Sequence, residues 1–198
     1  MAEQTYECIN LNEDSWIHTL PFKCEEFVPF NELWQIHPEE YNDIMMMGKL
    51  IKTPRWQQTY GRSYNFSGVN HVALDIPDII LPYLHFVNNL GYGEFNQILI
   101  NWYENGLHYI GSHSDDTTQL KKNSPIISIS IGAERIFRFR SKITKKTVLD
   151  ISLSDGIIVV MGGECQKDFK HEIPKITGEK ALKIKPRINF TFRQFKDS

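Results

Sequence analysis

PRINFTFR, residues 186–193, alternates polar and apolar side chains without a break: Arg187, Asn189, Thr191 and Arg193 against Ile188, Phe190 and Phe192. On a strand, side chains two positions apart share a face. The segment therefore reads as a strand with one apolar face for packing and a row of amide, hydroxyl and guanidinium groups on the other. With the apolar face turned to a core, the polar row lines a pocket inside the fold.

Working outward, further strand-like segments are Phe95–Tyr103, Ile126–Ile131, Arg135–Arg140, Thr147–Ile151 and Gly156–Met161. They are bounded by Gly, Pro, Asn and Ser, as short strands are. Two helices are expected ahead of them. One is a short helix near Asn31–Tyr41. The other covers Asp78–Leu90, where Ile79, Ile80, Tyr83, Leu84, Val87 and Leu90 fall at helical spacing and Gly91 follows as a cap. Many short strands after early helices argue for an α+β fold that is mainly β, a sandwich or jelly roll with N-terminal helices packed on one side. A chain of 198 residues with 41% hydrophobic residues supports one folded domain. Within it, residues 1–45 read as an acidic N-terminal extension, 46–94 as a recognition region and 95–198 as the core. Residues 166–185 read as a long lysine-rich connection.

The net charge of -2 conceals segregation. Residues 1–43 hold ten acids and one Lys, whereas 121–146 hold eight basic residues and one acid. Residues 167–193 hold eight basic residues and three acids. An acidic front and a basic working face suit a polyanionic partner, though solvated loops give the same composition. Three cysteines without CxxC spacing imply neither a disulfide framework nor a thiolate zinc site. No apolar run is long enough to span a bilayer and no signal pattern is seen, so an intracellular protein, nuclear or cytoplasmic, is expected.

His113 and Asp115 are two positions apart, and His171 follows 56 positions after Asp115. Two imidazoles and a carboxylate are the ligand set of a non-haem iron site, whose open coordination positions suit a chelating co-substrate and dioxygen. Arg187 and Arg193 supply the cationic forks that a dicarboxylate co-substrate requires. A bare HxD arises by chance, His171 also suits a surface loop, and strand arginines can be solubilising charges. Order and spacing, HxD then His then RxNxTxR, favour the site.

From about Met46 to Phe195 the chain resembles the AlkB family of iron- and 2-oxoglutarate-dependent nucleic-acid dioxygenases, in its eukaryotic DNA-repair branch. The resemblance rests on TPRWQQTYG (53–61), YNFSG (64–68), LINWYENG (99–106), HSDD (113–116), SPIISISIGAERIFRFR (124–140) and PRINFTFR (186–193), in that order. It implies a double-stranded β-helix (jelly roll, cupin-like) in which His113, Asp115 and His171 bind Fe(II). It further implies that Arg187, Asn101 and Tyr103 hold the distal carboxylate of 2-oxoglutarate, and that Arg193 with Asn189 orients the carboxylate nearer the ketone.

The implied reaction couples decarboxylation of 2-oxoglutarate by dioxygen to hydroxylation of an N-methyl group, releasing formaldehyde from bases such as 1-methyladenine and 3-methylcytosine. Alkylated DNA is the expected partner, with RNA as an alternative, and a monomer is expected. Tyr64 and Phe66 would surround the target base, Met46 and Met47 would enter the stack, and Arg55 would pair with Asp116 at the pocket mouth. Thr117 stands where relatives place an acid near the exocyclic amine, which leaves the choice of base open. The short connection RSKITKKT (140–147), with Lys142, Lys145 and Lys146 for phosphates, favours single strands over duplex. Two other readings keep part of this: removal of a regulatory mark such as N6-methyladenine, or a non-catalytic nucleic-acid binding module.

Overall fold

The computed structural model describes residues 6–46, 48–66 and 69–196; Met47 and the side chains of Met46 and Phe66 lie outside the described part. In chain order the strands are β1 (Glu7–Asn10), β2 (Ser15–Pro21), β3 (Asp43–Met46), β4 (Lys49–Lys52), β5 (Trp56–Tyr60), β6 (Tyr64–Phe66), β7 (Val69–His71) and β8 (Gln97–Tyr103). They continue as β9 (Ile110–His113), β10 (Ile126–Gly132), β11 (Arg135–Ser141), β12 (Thr147–Leu153), β13 (Ile157–Gly163), β14 (Phe169–Ile173) and β15 (Arg187–Arg193). The helices are short: α1 (Phe30–Gln35), α2 (Leu81–Asn88), α3 (Cys165–Asp168) and α4 (Glu179–Lys183).

Two antiparallel sheets face each other. The large one runs β1-β2-β13-β10-β15-β8-β5 and the small one β12-β11-β14-β9, with hairpins β3-β4 and β6-β7 beside them. This is the expected jelly roll. PRINFTFR is its central strand β15, paired to β10 on one side and to β8 on the other. Ile188, Phe190 and Phe192 are fully buried against Tyr83, Leu84 and Val87 of α2, and Phe190 stacks on Tyr83 with ring centroids 4.5 Å apart. Burying each such side chain contributes about 1.5–3 kcal/mol. The second apolar cluster lies between the sheets and joins Ile17, Ile126, Val159 and Met161 to Phe137, Phe139, Ile151 and Ile173. Strands β10 and β13 send side chains into both clusters, which is why IISISI and IIVVM read as nearly continuous apolar runs.

Four expectations change. The region 1–45, expected as an extension packed on the domain, supplies a strand of the large sheet: β2 pairs along its whole length with β13, and Ile17 is fully buried. A Cβ on Gly162 would collide with the Trp16 indole opposite it. The acids of this region sit mostly outside β2, so its charge count hides the alternation Ser15, Ile17, Thr19 that points inward. The supposed connection 166–185 contains β14, α3 and α4. In β14, Phe169, His171 and Ile173 point inward while Lys170 and Glu172 point outward, so five residues with two charges masked a strand. The helix expected over Asn31–Tyr41 ends by Gln35, and that over Asp78–Leu90 begins at Leu81, with Pro82 in its first turn.

Candidate active site

Strand parity puts Asn189, Thr191 and Arg193 of β15 and Leu99, Asn101 and Tyr103 of β8 on the concave face of the large sheet, where they line one cleft. The small sheet closes it with Phe137, His113, His171 and Ile173, and Met161 and Leu153 complete the apolar wall. The cleft holds about 550 Å³ of unfilled space, its mouth included.

His113 and His171 are direct partners across β9 and β14. Strand β9 ends at His113, so Asp115 is placed by other means than strand geometry. The Asp115 backbone N–H donates to Gln166 Oε1 at 2.9 Å, and the hydroxyl of Ser114 donates to the Phe169 carbonyl at 2.7 Å. Arg193 then grips Asp115 Oδ2 with Nε at 3.1 Å and Nη2 at 2.9 Å. The other oxygen, Oδ1, lies 3.6 Å from His113 Nε2 and 3.9 Å from His171 Nε2. All three potential donor atoms fall within 4.8 Å of one another.

Protonation follows from this arrangement. Burial by itself would raise the Asp115 carboxyl, but the Arg193 guanidinium and both imidazoles outweigh it and hold it well below the carboxylate range. Burial pushes His171 down to about 3, with His113 adding to the effect, so this imidazole is neutral at ordinary pH. His113 Nδ1 lies 2.8 Å from the Gly111 carbonyl, a contact that orients the ring with Nε2 toward the Asp115 carboxylate. Neutral imidazole and ionised carboxylate are the states that metal coordination requires. The donor set therefore fits Fe(II).

Arg187 supplies the corresponding test for a dicarboxylate. It is 1% exposed, Nη2 donates to Ser130 at 2.8 Å, and Nε and Nη1 have no hydrogen-bond partner. Burial pulls its guanidinium down to about 10. It lies over the Tyr103 ring, 5.0 Å from the centroid. A buried cation with orphaned donors is costly unless an anion completes it. A carboxylate reaching past Tyr103 would do so.

Asn101 Oδ1 accepts from Arg55 Nε at 2.6 Å, and Asn189 Nδ2 donates to Ser128 at 2.8 Å, so each amide is held in one orientation. Several sequence expectations are displaced. Arg55 does not meet Asp116: it is buried, and its donors go to Asn101, Gln57 and the Tyr109 carbonyl. Asp116 accepts from the Thr118 backbone at 2.9 Å and caps its own turn. Tyr64 is 1% exposed, receives the Asp116 N–H at 2.9 Å and packs its ring under Arg193, 4.7 Å from the guanidinium carbon. It thus orders the HSDD loop and is not a wall of the cleft. Thr117 is exposed and lines an adjoining groove. Residues not anticipated are Gln166, Gln97, whose Oε1 accepts from Arg193 at 3.2 Å, and Met161. The evenly spaced Gln97, Leu99, Asn101 and Tyr103 could have revealed Gln97; Gln166 lies on α3, which no periodicity announces.

The profile of the 2OG-Fe(II) oxygenase superfamily matches residues 23–193. "DNA oxidative demethylase ALKBH2" of Homo sapiens is 32% identical over 161 residues, covering 76% of this chain and 60% of that protein. The chain belongs to the 2OG-Fe(II) oxygenase superfamily, in its AlkB family. Among further AlkB relatives, "Alpha-ketoglutarate-dependent dioxygenase alkB homolog 3" of Rattus norvegicus is 33% identical over 199 residues, covering 93% of this chain and 61% of that protein. The chain thus spans about 60% of the length of these curated relatives. The solved structure of OsALKBH1 superposes with a TM-score of 0.57 over 95% of this chain and 100% of that one, at 17% identity, and so shares the fold. Membership of the superfamily implies Fe(II), 2-oxoglutarate and dioxygen, which agrees with the triad at the floor of the cleft.

Proposed function

We propose that this chain is an Fe(II)- and 2-oxoglutarate-dependent demethylase of N-alkylated nucleobases in DNA, acting on bases such as 1-methyladenine and 3-methylcytosine. The observation that carries the reading is the His113–Asp115–His171 cluster in a cleft lined by Tyr103, together with Arg187, a buried arginine whose Nε and Nη1 lack a partner and which lies over that Tyr103 ring. Kinship to proteins named DNA oxidative demethylase supplies the substrate class.

His113, Asp115 and His171 would hold the iron, and Arg193 keeps the Asp115 carboxylate ionised and turned so that Oδ1 faces the imidazoles. Arg187, with Tyr103 and Asn101, would bind the distal carboxylate of 2-oxoglutarate, and Asn189 and Arg193 would orient the nearer one. Arg193 thereby serves both the ligand and the co-substrate. Bound iron, 2-oxoglutarate and dioxygen together supply the oxidant that hydroxylates an N-methyl carbon, after which formaldehyde leaves. The apolar wall of Met161, Leu153, Phe137 and Ile173 excludes water and strengthens the charge interactions within. A methyl group on a paired base is hidden, so the substrate is single-stranded or flipped.

The test is a panel of oligonucleotides carrying 1-methyladenine, 3-methylcytosine or N6-methyladenine, single- and double-stranded and in DNA and RNA, read by mass spectrometry. Demethylation of 1-methyladenine or 3-methylcytosine supports the proposal. Activity confined to N6-methyladenine replaces repair by removal of a mark, and no activity anywhere removes the demethylase reading.

A further inference from the structure

Beside the cleft runs a second, open concavity with about 1000 Å³ of unfilled space, its mouth included, that the oxidation chemistry does not use. It shares Met161 with the cleft and begins at Thr117, two residues beyond Asp115. Among the described residues four lysines line it, Lys121, Lys122, Lys167 and Lys196, against one carboxylate, Glu164, which Lys167 pairs at 3.2 Å. Lys121 and Lys122 make no ion pair among the described residues, and Lys196 Nζ donates to the Thr118 carbonyl at 2.8 Å. The groove therefore carries a net positive charge, and the ammonium groups of Lys121 and Lys122 have no ion-pair partner among the described residues.

The lysines sit on a fixed frame. Residues 121–124 form a tight turn closed by the Ser124 N–H on the Lys121 carbonyl at 3.1 Å. Asn123 takes φ of 61°, a left-handed conformation that Asn tolerates better than most residues. Leu120 is buried and bridges Phe195, and the Lys121 N–H donates to the Gln194 carbonyl at 2.8 Å, which pins the turn to the end of β15. Lys142, by contrast, is a structural residue: Nζ donates to the Gln166 carbonyl at 2.8 Å.

We infer that this groove binds the phosphodiester backbone of the nucleic-acid strand next to the nucleotide whose base enters the cleft, with Lys121 and Lys122 as its principal contacts. The inference rests on the proposed function and adds where the strand runs. Lysine supplies point charges for phosphates in passing, without base selectivity. No arginine lines the groove, so it lacks the fork that recognises a terminal phosphate by two parallel bonds. Its threonine hydroxyls, Thr117 and Thr118, are neutral donors suited to a singly charged diester.

The test compares wild type, Lys121→Ala/Lys122→Ala and Lys121→Arg/Lys122→Arg by fluorescence anisotropy on a single-stranded methylated oligonucleotide across a salt series. Thermal melting and iron titration check that each variant is folded. Losing two phosphate contacts should flatten the slope of log K against log salt by about 1.4 and weaken binding roughly tenfold at low salt. The arginine pair should restore the slope. KM for the oligonucleotide should rise in the alanine pair with kcat little changed. A folded alanine pair with wild-type slope and affinity overturns the inference, and so does specific displacement by inorganic phosphate at matched ionic strength, which would mark a phosphate pocket. If the wild type demethylates while the alanine pair binds like it, only the groove fails; a wild type that neither binds nor demethylates fails both readings.

Discussion

Arg193 holds one oxygen of Asp115 by two bonds at 2.9 and 3.1 Å, leaving the other within 3.6 and 3.9 Å of the two imidazoles. The carboxylate is shared between a cation that fixes it and a site where a metal would sit. Both partners are buried, so removing one strands the other's charge at a cost of about 3–5 kcal/mol. Arg193→Gln should therefore lower the melting temperature and weaken iron binding about 10- to 100-fold. Denaturant titration and iron titration measure the two losses, and wild-type values for both would contradict the pairing.

Arg187 makes a different prediction because its orphaned donors await a partner. In the presence of metal, 2-oxoglutarate should stabilise the wild type by about 2–3 kcal/mol at a hundredfold excess over Kd. Arg187→Met should lose that response. It should also leave the ligand-free protein as stable as wild type or more so, since an unpaired buried cation is removed. Differential scanning with and without 2-oxoglutarate separates the two effects; an undiminished ligand shift in the variant would remove Arg187 from the co-substrate site.

Acid sensitivity should be set in part by histidine. In the unfolded chain His171 titrates near 6.5, whereas burial pushes it down to about 3 in the fold. Between these values the unfolded chain binds the additional proton, so the His171 contribution is fully present above about 6.5 and is lost as pH falls toward 3. His18 and His108 are lowered by burial as well and act in the same sense. Urea unfolding of the metal-free protein should show stability falling by about 1 kcal/mol or more per unit below pH 6. His171→Asn should reduce that slope, and an unchanged slope would show that the imidazole does not titrate with unfolding.

The two faces of β15 should respond differently to substitution. Phe190→Ala empties a fully buried site stacked on Tyr83 and should cost about 3–5 kcal/mol with KM for 2-oxoglutarate unaltered in the fraction that folds. Thr191→Val faces the cleft and should alter kinetics more than stability. Chemical denaturation together with co-substrate kinetics checks this, and a reversed pattern would mean that the strand's faces are misassigned.

The alternation of PRINFTFR was enough to orient β15, because a central strand with one purely apolar face has a single way to sit on a core. Asn101, Tyr103, Asn189 and Arg193 follow from the same parity, and the structure brings all four to the cleft. β2 and β14 were hidden because charges neighbouring a short strand dominate composition while leaving its inward face intact. The position of Asp115 was illegible for another reason: it lies past the end of β9, and is decided by hydrogen bonds with distant residues, its N–H to Gln166 and its carboxylate from Arg193. Arg55 was expected to pair with Asp116 and Tyr64 to surround the base; Arg55 does line the cleft, but its donors hold Asn101, Gln57 and the Tyr109 carbonyl, and the Tyr64 hydroxyl orders the HSDD loop. Local sequence cannot distinguish a group that touches a ligand from one that holds its neighbour.

In the proposed function the His113–Asp115–His171 site couples 2-oxoglutarate decarboxylation to removal of a methyl group from a base. Succinate and formaldehyde should be quantified together from a 3-methylcytosine oligonucleotide with Fe(II), 2-oxoglutarate and dioxygen, for wild type and Asp115→Ala. Equal yields of the two products from wild type, and neither from a folded Asp115→Ala that still binds the oligonucleotide, is the predicted result. Formaldehyde release undiminished in Asp115→Ala, or succinate from wild type without any formaldehyde across methylated substrates, would contradict it.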